Sequence, residues 1–218
     1  MNVAQTPRVR ADTIPRDYNF AADILKGNLE AGRAGKLAYV DQRQGWTYGE
    51  LATRVDNFGN VLRSLGIRRE ERILICLLDG IDWPTAFLGA IKAGIVPVPV
   101  NTLLTPDDYR FMLGDSRARL LVVSEELFPK FANLIGPSAD LAHVVVSGAN
   151  GYGHPRFEDL LAAASAESAT APTVRDNICF WLYTSGSTGK PKAAVHTHAD
   201  LKFTDELYGN PFLGLTEN

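Results

Sequence analysis

The chain has 218 residues, with 22 basic and 25 acidic side chains and a net charge of −3. That balance leaves no basic footprint for nucleic acid, and no uninterrupted apolar run approaches the roughly 20 residues a membrane helix requires. A hydrophobic content of 45% and a charged content of 22% suit a globular protein of one large domain or two small ones.

Residues 1–20 are polar and interrupted by prolines, and lack the apolar core of a secretory signal. They read as an extended arm ahead of a partial domain over 21–218. Residues 38–41 and 45–48 read as two short strands joined by a polar turn. Thr47 and Glu50 then form a capping box, and Leu51, Val55, Phe58, Leu62 and Leu65 recur at helical spacing. Gly66 fits the position just past that helix.

An alternation of strands and helices follows. Residues 73–78 form a continuous apolar run suited to a buried parallel strand. Residues 83–93 read as a helix with Asp82 as N-cap and Gly94 as its end. Residues 95–100 read as a second strand, which Pro97 and Pro99 confine to an edge or irregular position. Thr105-Pro106 opens a helix to about Gly114. Residues 120–124 and 141–147 read as strands, with a helix over 125–135 between them. This order predicts an α/β fold, a mostly parallel sheet with helices on both faces. A short helix is expected from Phe157 to about Ala164, and residues 165–173 read as an exposed connection and internal boundary. Cys76 and Cys179 sit in apolar runs and read as buried, reduced thiols, which together with the missing signal points to the cytoplasm.

The richest segment for chemistry is Tyr183-Thr-Ser-Gly-Ser-Thr-Gly-Lys-Pro-Lys192. An apolar strand over 178–184 leads into it, a return strand over 193–196 leaves it, and a helix is expected over 199–208. Glycines let backbone N–H groups turn onto an anion, hydroxyls add donors, and Lys190 and Lys192 add positive charge. The composition predicts a polyphosphate-binding loop. A Walker A loop fits poorly, because Thr184 stands where its first glycine belongs and Pro191 follows Lys190. A dinucleotide fingerprint at Gly151 and Gly153 fails, since Arg156 replaces its third glycine. A plain solvent-exposed turn does not account for two lysines, two glycines and a bounding strand together. His196 and His198 would share a strand face, but only Asp200 lies near them at ligand spacing, so no metal site is assigned. Phe180, Trp181 and Phe203 read as core in preference to an aryl pocket.

The segment Thr184–Lys192 resembles the signature loop of the acyl-adenylate-forming superfamily. Lys92-Ala93-Gly94 with Pro97, and Thr47-Tyr48-x-Glu50-Leu51, resemble two further segments of that family. The resemblance covers about residues 36–208. Most members carry Gly after the Pro-Lys pair, where this chain has Ala193 and Ala194. That variant, with residues 100–105 upstream, is most similar to benzoate-CoA and hydroxybenzoate-CoA ligases. The resemblance implies the first part of a large N-terminal AMP-binding domain and an acid–thiol ligase that joins an aromatic carboxylate to coenzyme A at the expense of ATP. It implies that Thr184, Ser185, Gly186, Ser187, Thr188 and Lys192 contact the ATP phosphates, with Mg²⁺ bridging them. Gly189 and Lys190 lie in the same loop and rank below those six. A homodimer of the full-length form is left open. The family's ribose-binding Asp, hinge and C-terminal domain with its catalytic Lys have no counterpart here. The 218 residues are therefore expected to be the front part of such a ligase, inactive alone and without catalytic residues of their own. The opposing reading is a non-catalytic nucleotide-binding or interaction module that keeps the loop.

Overall fold

The computed structural model describes residues 13–136, 140–165, 168–184 and 191–215. Helix α1 (Phe20–Glu30) precedes an antiparallel pair, β1 (Leu37–Val40) and β2 (Gly45–Thr47). Next come α2 (Tyr48–Ser64), β3 (Arg72–Cys76), α3 (Asp82–Lys92), β4 (Val96–Pro99), α4 (Pro106–Ser116) and β5 (Leu120–Ser124). The chain continues through β6 (His143–Ser147), α5 (Phe157–Ala163), β7 (Ile178–Thr184), β8 (Lys192–Thr197), α6 (His198–Thr204) and α7 (Asn210–Leu213).

The central sheet has the order β4-β3-β5-β6, and all of its pairings are parallel. Alternation along each strand divides its side chains between two layers. Ile73, Ile75, Leu120, Val122 and Val145 join the core beneath α2, α3 and α5, whereas Leu74, Cys76, Leu121, Val123, Val144 and Val146 pack with Tyr109, Met112 and Leu113 of α4. The expected parallel sheet with helices on both faces is present. β4 is the end strand of that sheet, as its two prolines require. β7 lies against it without joining the ladder and pairs instead with β8 in a separate antiparallel hairpin. Pro97 and Pro99 lack the N–H groups such a ladder would need.

Capping chemistry fixes the helix starts. The Thr47 hydroxyl accepts from Glu50 N–H, and the Glu50 carboxylate accepts in return from Thr47 N–H at 2.7 Å. Thr105 and Asp108 repeat the device at α4, which runs two residues past Gly114 to Ser116 before Arg117 turns left-handed (φ 50°). Gly94 closes α3 at φ +74°, and a Cβ there would stand 2.8 Å from that of Ala171. Both effects oppose a side chain. Gly94→Ala is expected to destabilise the fold by about 1–2 kcal/mol, read as a lower urea midpoint at unchanged slope.

Several sequence expectations are corrected. Residues 125–135 form no α-helix. Glu125–Lys130 is a short 3₁₀ helix containing Pro129, followed by turns, because Pro129 cannot donate a helical hydrogen bond. Asp82 does not cap α3; Ile81 holds that position, and Asp82 is drawn into an ion-pair cluster instead. The helix expected over 199–208 is α6 followed by a π turn at Asp205–Gly209, with α7 continuing beyond it. Helix α1 was not foreseen. It is capped by the Asn19 side chain and buries Ala21 and Leu25, a face too sparse to stand out in the sequence.

The connection at 165–173 is held against the helices, and its burial is mixed. Asn60 donates to Ser165 O at 2.8 Å, Ala171 N–H to Lys92 O at 2.9 Å, and Arg69 to Pro172 O at 2.9 Å. Ala171 and Thr173 are buried, whereas Ser165, Ala169, Thr170 and Pro172 are exposed. The described end of the N-terminal arm packs beside it. Asp17 bridges Val174, and the buried Asn19 donates to Ile91 O and Thr173 Oγ1.

Candidate functional site

The β7–β8 hairpin presents the candidate site at its tip. The last register pair is Thr184 opposite Lys192, and both side chains are exposed. The Thr184 hydroxyl donates a long hydrogen bond of 3.4 Å to Lys192 O. Ser185, Gly186, Ser187, Thr188, Gly189 and Lys190 lie outside the described residues. Pro191 leads into strand β8 and not into a helix. Both ends of the segment are therefore strands, whereas a Walker A loop runs into a helix.

The hairpin is anchored on both sides. Toward α4, the Tyr183 hydroxyl donates to Asp115 Oδ2 at 2.6 Å, and the Phe111 ring meets the Tyr183 ring edge-on at 6.5 Å. Burial, then the Asp115 hydrogen bond, push the Tyr183 phenol well above its ordinary range. On the other side, His196 stacks on Phe180 at 4.5 Å with the rings 4° from parallel, and its Nδ1 lies 3.5 Å from Asp200 Oδ2.

His196 and His198 do not share a strand face, because His198 is the first residue of α6. The His198 ring is buried, and its Nδ1 accepts from Phe20 N–H at 3.2 Å. Burial pushes its pKa down to about 4, so it is a neutral anchor at neutral pH. Among the described residues no group of three or more His, Cys, Asp or Glu is placed to hold a metal. Phe180 is buried in the core beneath α2 and α3, whereas Trp181 packs, partly buried, against the α4 layer and Phe203 against Ile14, Tyr18 and Ala199. Cys76 and Cys179 are free and buried, and burial raises the Cys76 thiol to about 11 and Cys179 further, so neither is a thiolate at neutral pH.

A second polar assembly was missed by sequence reasoning. Asp82 accepts from Arg54 at 2.6 Å, from Arg43 at 2.9 Å and from Ser147 Oγ at 2.6 Å, while Arg54 also holds Glu158. Asp41 accepts from three backbone N–H groups and the Trp46 indole, and despite burial these donors keep its carboxyl well below the usual range. Its members come from positions 41 to 158, a separation that no local pattern reveals.

The fold and site define a class. The model of the AMP-binding enzyme family matches residues 29–209, and the chain belongs to that family. Among relatives, it is 53% identical over 205 residues to a benzoate–CoA ligase of Thauera aromatica, covering 94% of this chain and 38% of the relative. It is 39% identical over 194 residues to a 4-hydroxybenzoate–CoA/benzoate–CoA ligase of Rhodopseudomonas palustris, covering 89% of this chain and 36% of that one. Among solved structures, a benzoate CoA ligase from Burkholderia xenovorans LB400 superimposes with a TM-score of 0.83 at 45% identity, over 92% of this chain and 39% of the other. The anthranilate CoA ligase AuaEII, solved with anthranoyl-AMP, gives a TM-score of 0.90 at 36% identity over 96% of this chain and 39% of its own. The chain thus spans about two fifths of the length of the relatives it matches.

Proposed function

We propose that this chain forms the phosphate-binding part of an ATP-dependent aryl-CoA ligase acting on benzoate or a close analogue. The observation that carries this reading is the antiparallel β7–β8 pair, whose facing ends Thr184 and Lys192 bound the segment, in a chain 53% identical to a benzoate–CoA ligase.

In the reaction, a carboxylate oxygen attacks the α-phosphorus of ATP. The new O–P bond forms as the bond to the bridging oxygen breaks, giving an acyl adenylate and pyrophosphate. The sulfur of coenzyme A then attacks the acyl carbon, its proton is lost, and AMP departs with the bonding pair. The first step brings two anions together, so charge on the departing pyrophosphate must be offset. The Lys192 ammonium and Thr184 hydroxyl supply cation and donor at the hairpin tip. Ser185, Gly186, Ser187, Thr188 and Gly189 complete the cradle in this proposal. A hydroxyl and ammonium set suits phosphate oxygens, and Mg²⁺ entering with ATP would supply further positive charge to offset that of the phosphates. Two buried, unpaired thiols accord with work in the cytoplasm. Among the described residues no helix is long and apolar enough to cross a membrane.

The phosphate-binding role is tested by titrating MgATP into the 218-residue chain in a calorimeter. Lys192→Ala is expected to weaken binding about tenfold, the loss of one charge-assisted contact. Unchanged affinity in that variant would refute the assignment. The chain alone, spanning about two fifths of its relatives, is expected to show no benzoate-dependent exchange of pyrophosphate into ATP.

A further inference from the structure

We propose that Tyr183 and Asp115 form a positioning pair that sets Thr184 and Lys192, the facing ends of β7 and β8, for phosphate binding; this rests on the reading given above. The hairpin is bound to the rest of the molecule unevenly. β7 runs beside β4 without a ladder of hydrogen bonds, and β8 lies on its far side. Near the tip, Leu182, Thr184, Lys192 and Ala194 are exposed. Tyr183 stands between Leu182 and Thr184 and faces Ala193 in the register. Its hydroxyl crosses to α4 and donates to Asp115 Oδ2 at 2.6 Å, a charge-assisted bond between residues 68 positions apart. The Phe111 ring, also on α4, meets the Tyr183 ring edge-on at 6.5 Å.

This contact ties the last turn of the β7 pleat to a helix that packs on the central sheet through Tyr109, Met112 and Leu113. Thr184 follows Tyr183 directly, and Lys192 is paired to Thr184, so both inherit the restraint. Fixing donors before the ligand arrives reduces the ordering entropy lost on binding. Neither Tyr183 nor Asp115 need touch the nucleotide for this effect.

The sign of the effect separates positioning from simple electrostatics. Asp115 is an acidic group near a site for anions, so through space its removal would strengthen phosphate binding. Positioning predicts the opposite. MgATP and inorganic pyrophosphate would be titrated separately into the 218-residue chain and into Tyr183→Phe, Asp115→Ala and the double variant, with Tm measured for each. Each single change is expected to weaken both ligands about three- to tenfold, and the double variant no more than the stronger single one. Asp115 is exposed on α4, so Asp115→Ala tests the pair with little risk to folding. Affinities unchanged or raised in both single variants, with Lys192→Ala still weakening them, would overturn the positioning role alone. A lowered Tm with unchanged affinities would mark a purely structural contact and also overturn it. Failure of the unmodified chain to bind either ligand would overturn both this inference and the phosphate-binding assignment.

Discussion

Arg54→Ala is expected to destabilise the fold by about 3 kcal/mol, the largest effect of any polar substitution considered. Arg54 is nearly buried, with 12% of its side chain exposed, and Asp82 retains 9%. One guanidinium holds Asp82 Oδ1 at 2.6 Å and both oxygens of Glu158, donates to Thr85 Oγ1, and lies over the Trp46 ring at 4.9 Å. Removing it leaves a buried carboxylate with fewer partners. Arg43 and Ser147 still reach Asp82, which keeps the loss toward the lower end for a broken buried pair. Arg54→Met keeps much of the aliphatic packing and discards the charge, so it should lose nearly as much stability. Urea unfolding of both variants checks this. A loss below about 1 kcal/mol in each would place the cluster with ordinary surface pairs. The cluster joins the β1–β2 turn, α2, α3, β6 and α5, so the same substitution should loosen the contact of α5 with α2.

The second large effect is on pH dependence and centres on His198. Its folded pKa of about 4 lies below the ordinary 6.5 because the ring is buried. Below pH 6.5 the unfolded chain therefore binds a proton that the folded chain resists. Stability from this group is intact above about pH 6.5, falls as pH drops toward about 4, and levels off beneath that. The full span corresponds to roughly 3 kcal/mol. His198→Gln offers an oxygen to the Phe20 N–H without a titrating ring. The difference in unfolding free energy between the two proteins, measured at pH 7.5 and pH 4.5, isolates the histidine, because the carboxylates titrate in both. The stability gap should shift in favour of the variant at pH 4.5. A gap independent of pH would show that His198 does not resist protonation in the folded state.

Much of the architecture was legible because its signals are local. The capping boxes at Thr47 and Thr105, the apolar run through Ile73 and Ile75, and the glycine after α3 each declare themselves within a few residues. The parallel sheet followed from the order of those elements. The prolines of β4 pointed to an edge or irregular strand because they remove donors, and the strand is the end one of its sheet. What escaped was non-local. Asp82 has the look of an N-cap, but partners at Arg43, Arg54 and Ser147 draw it elsewhere. Pro129 stands inside an otherwise helical pattern and limits it to a six-residue 3₁₀ helix. The spacing of His196 and His198 suggested one strand face, until the Thr197–Asp200 capping box began a helix between them. At the site, composition pointed to a phosphate-binding segment, and the structure places its two ends, Thr184 and Lys192, opposite one another. The Asp115 tether could not be read from sequence, since nothing near residue 183 points to residue 115.

The central claim, that this chain performs the phosphate-side work of an aryl-CoA ligase, is tested most directly by transplantation. The segment of the Thauera aromatica benzoate–CoA ligase that matches this chain, 38% of its length, would be replaced by the corresponding residues of this protein. Benzoate-dependent exchange of pyrophosphate into ATP would then be measured. The account predicts exchange well above background, abolished or strongly reduced when Lys192→Ala is added. A folded chimera that binds benzoate but catalyses no exchange would contradict it.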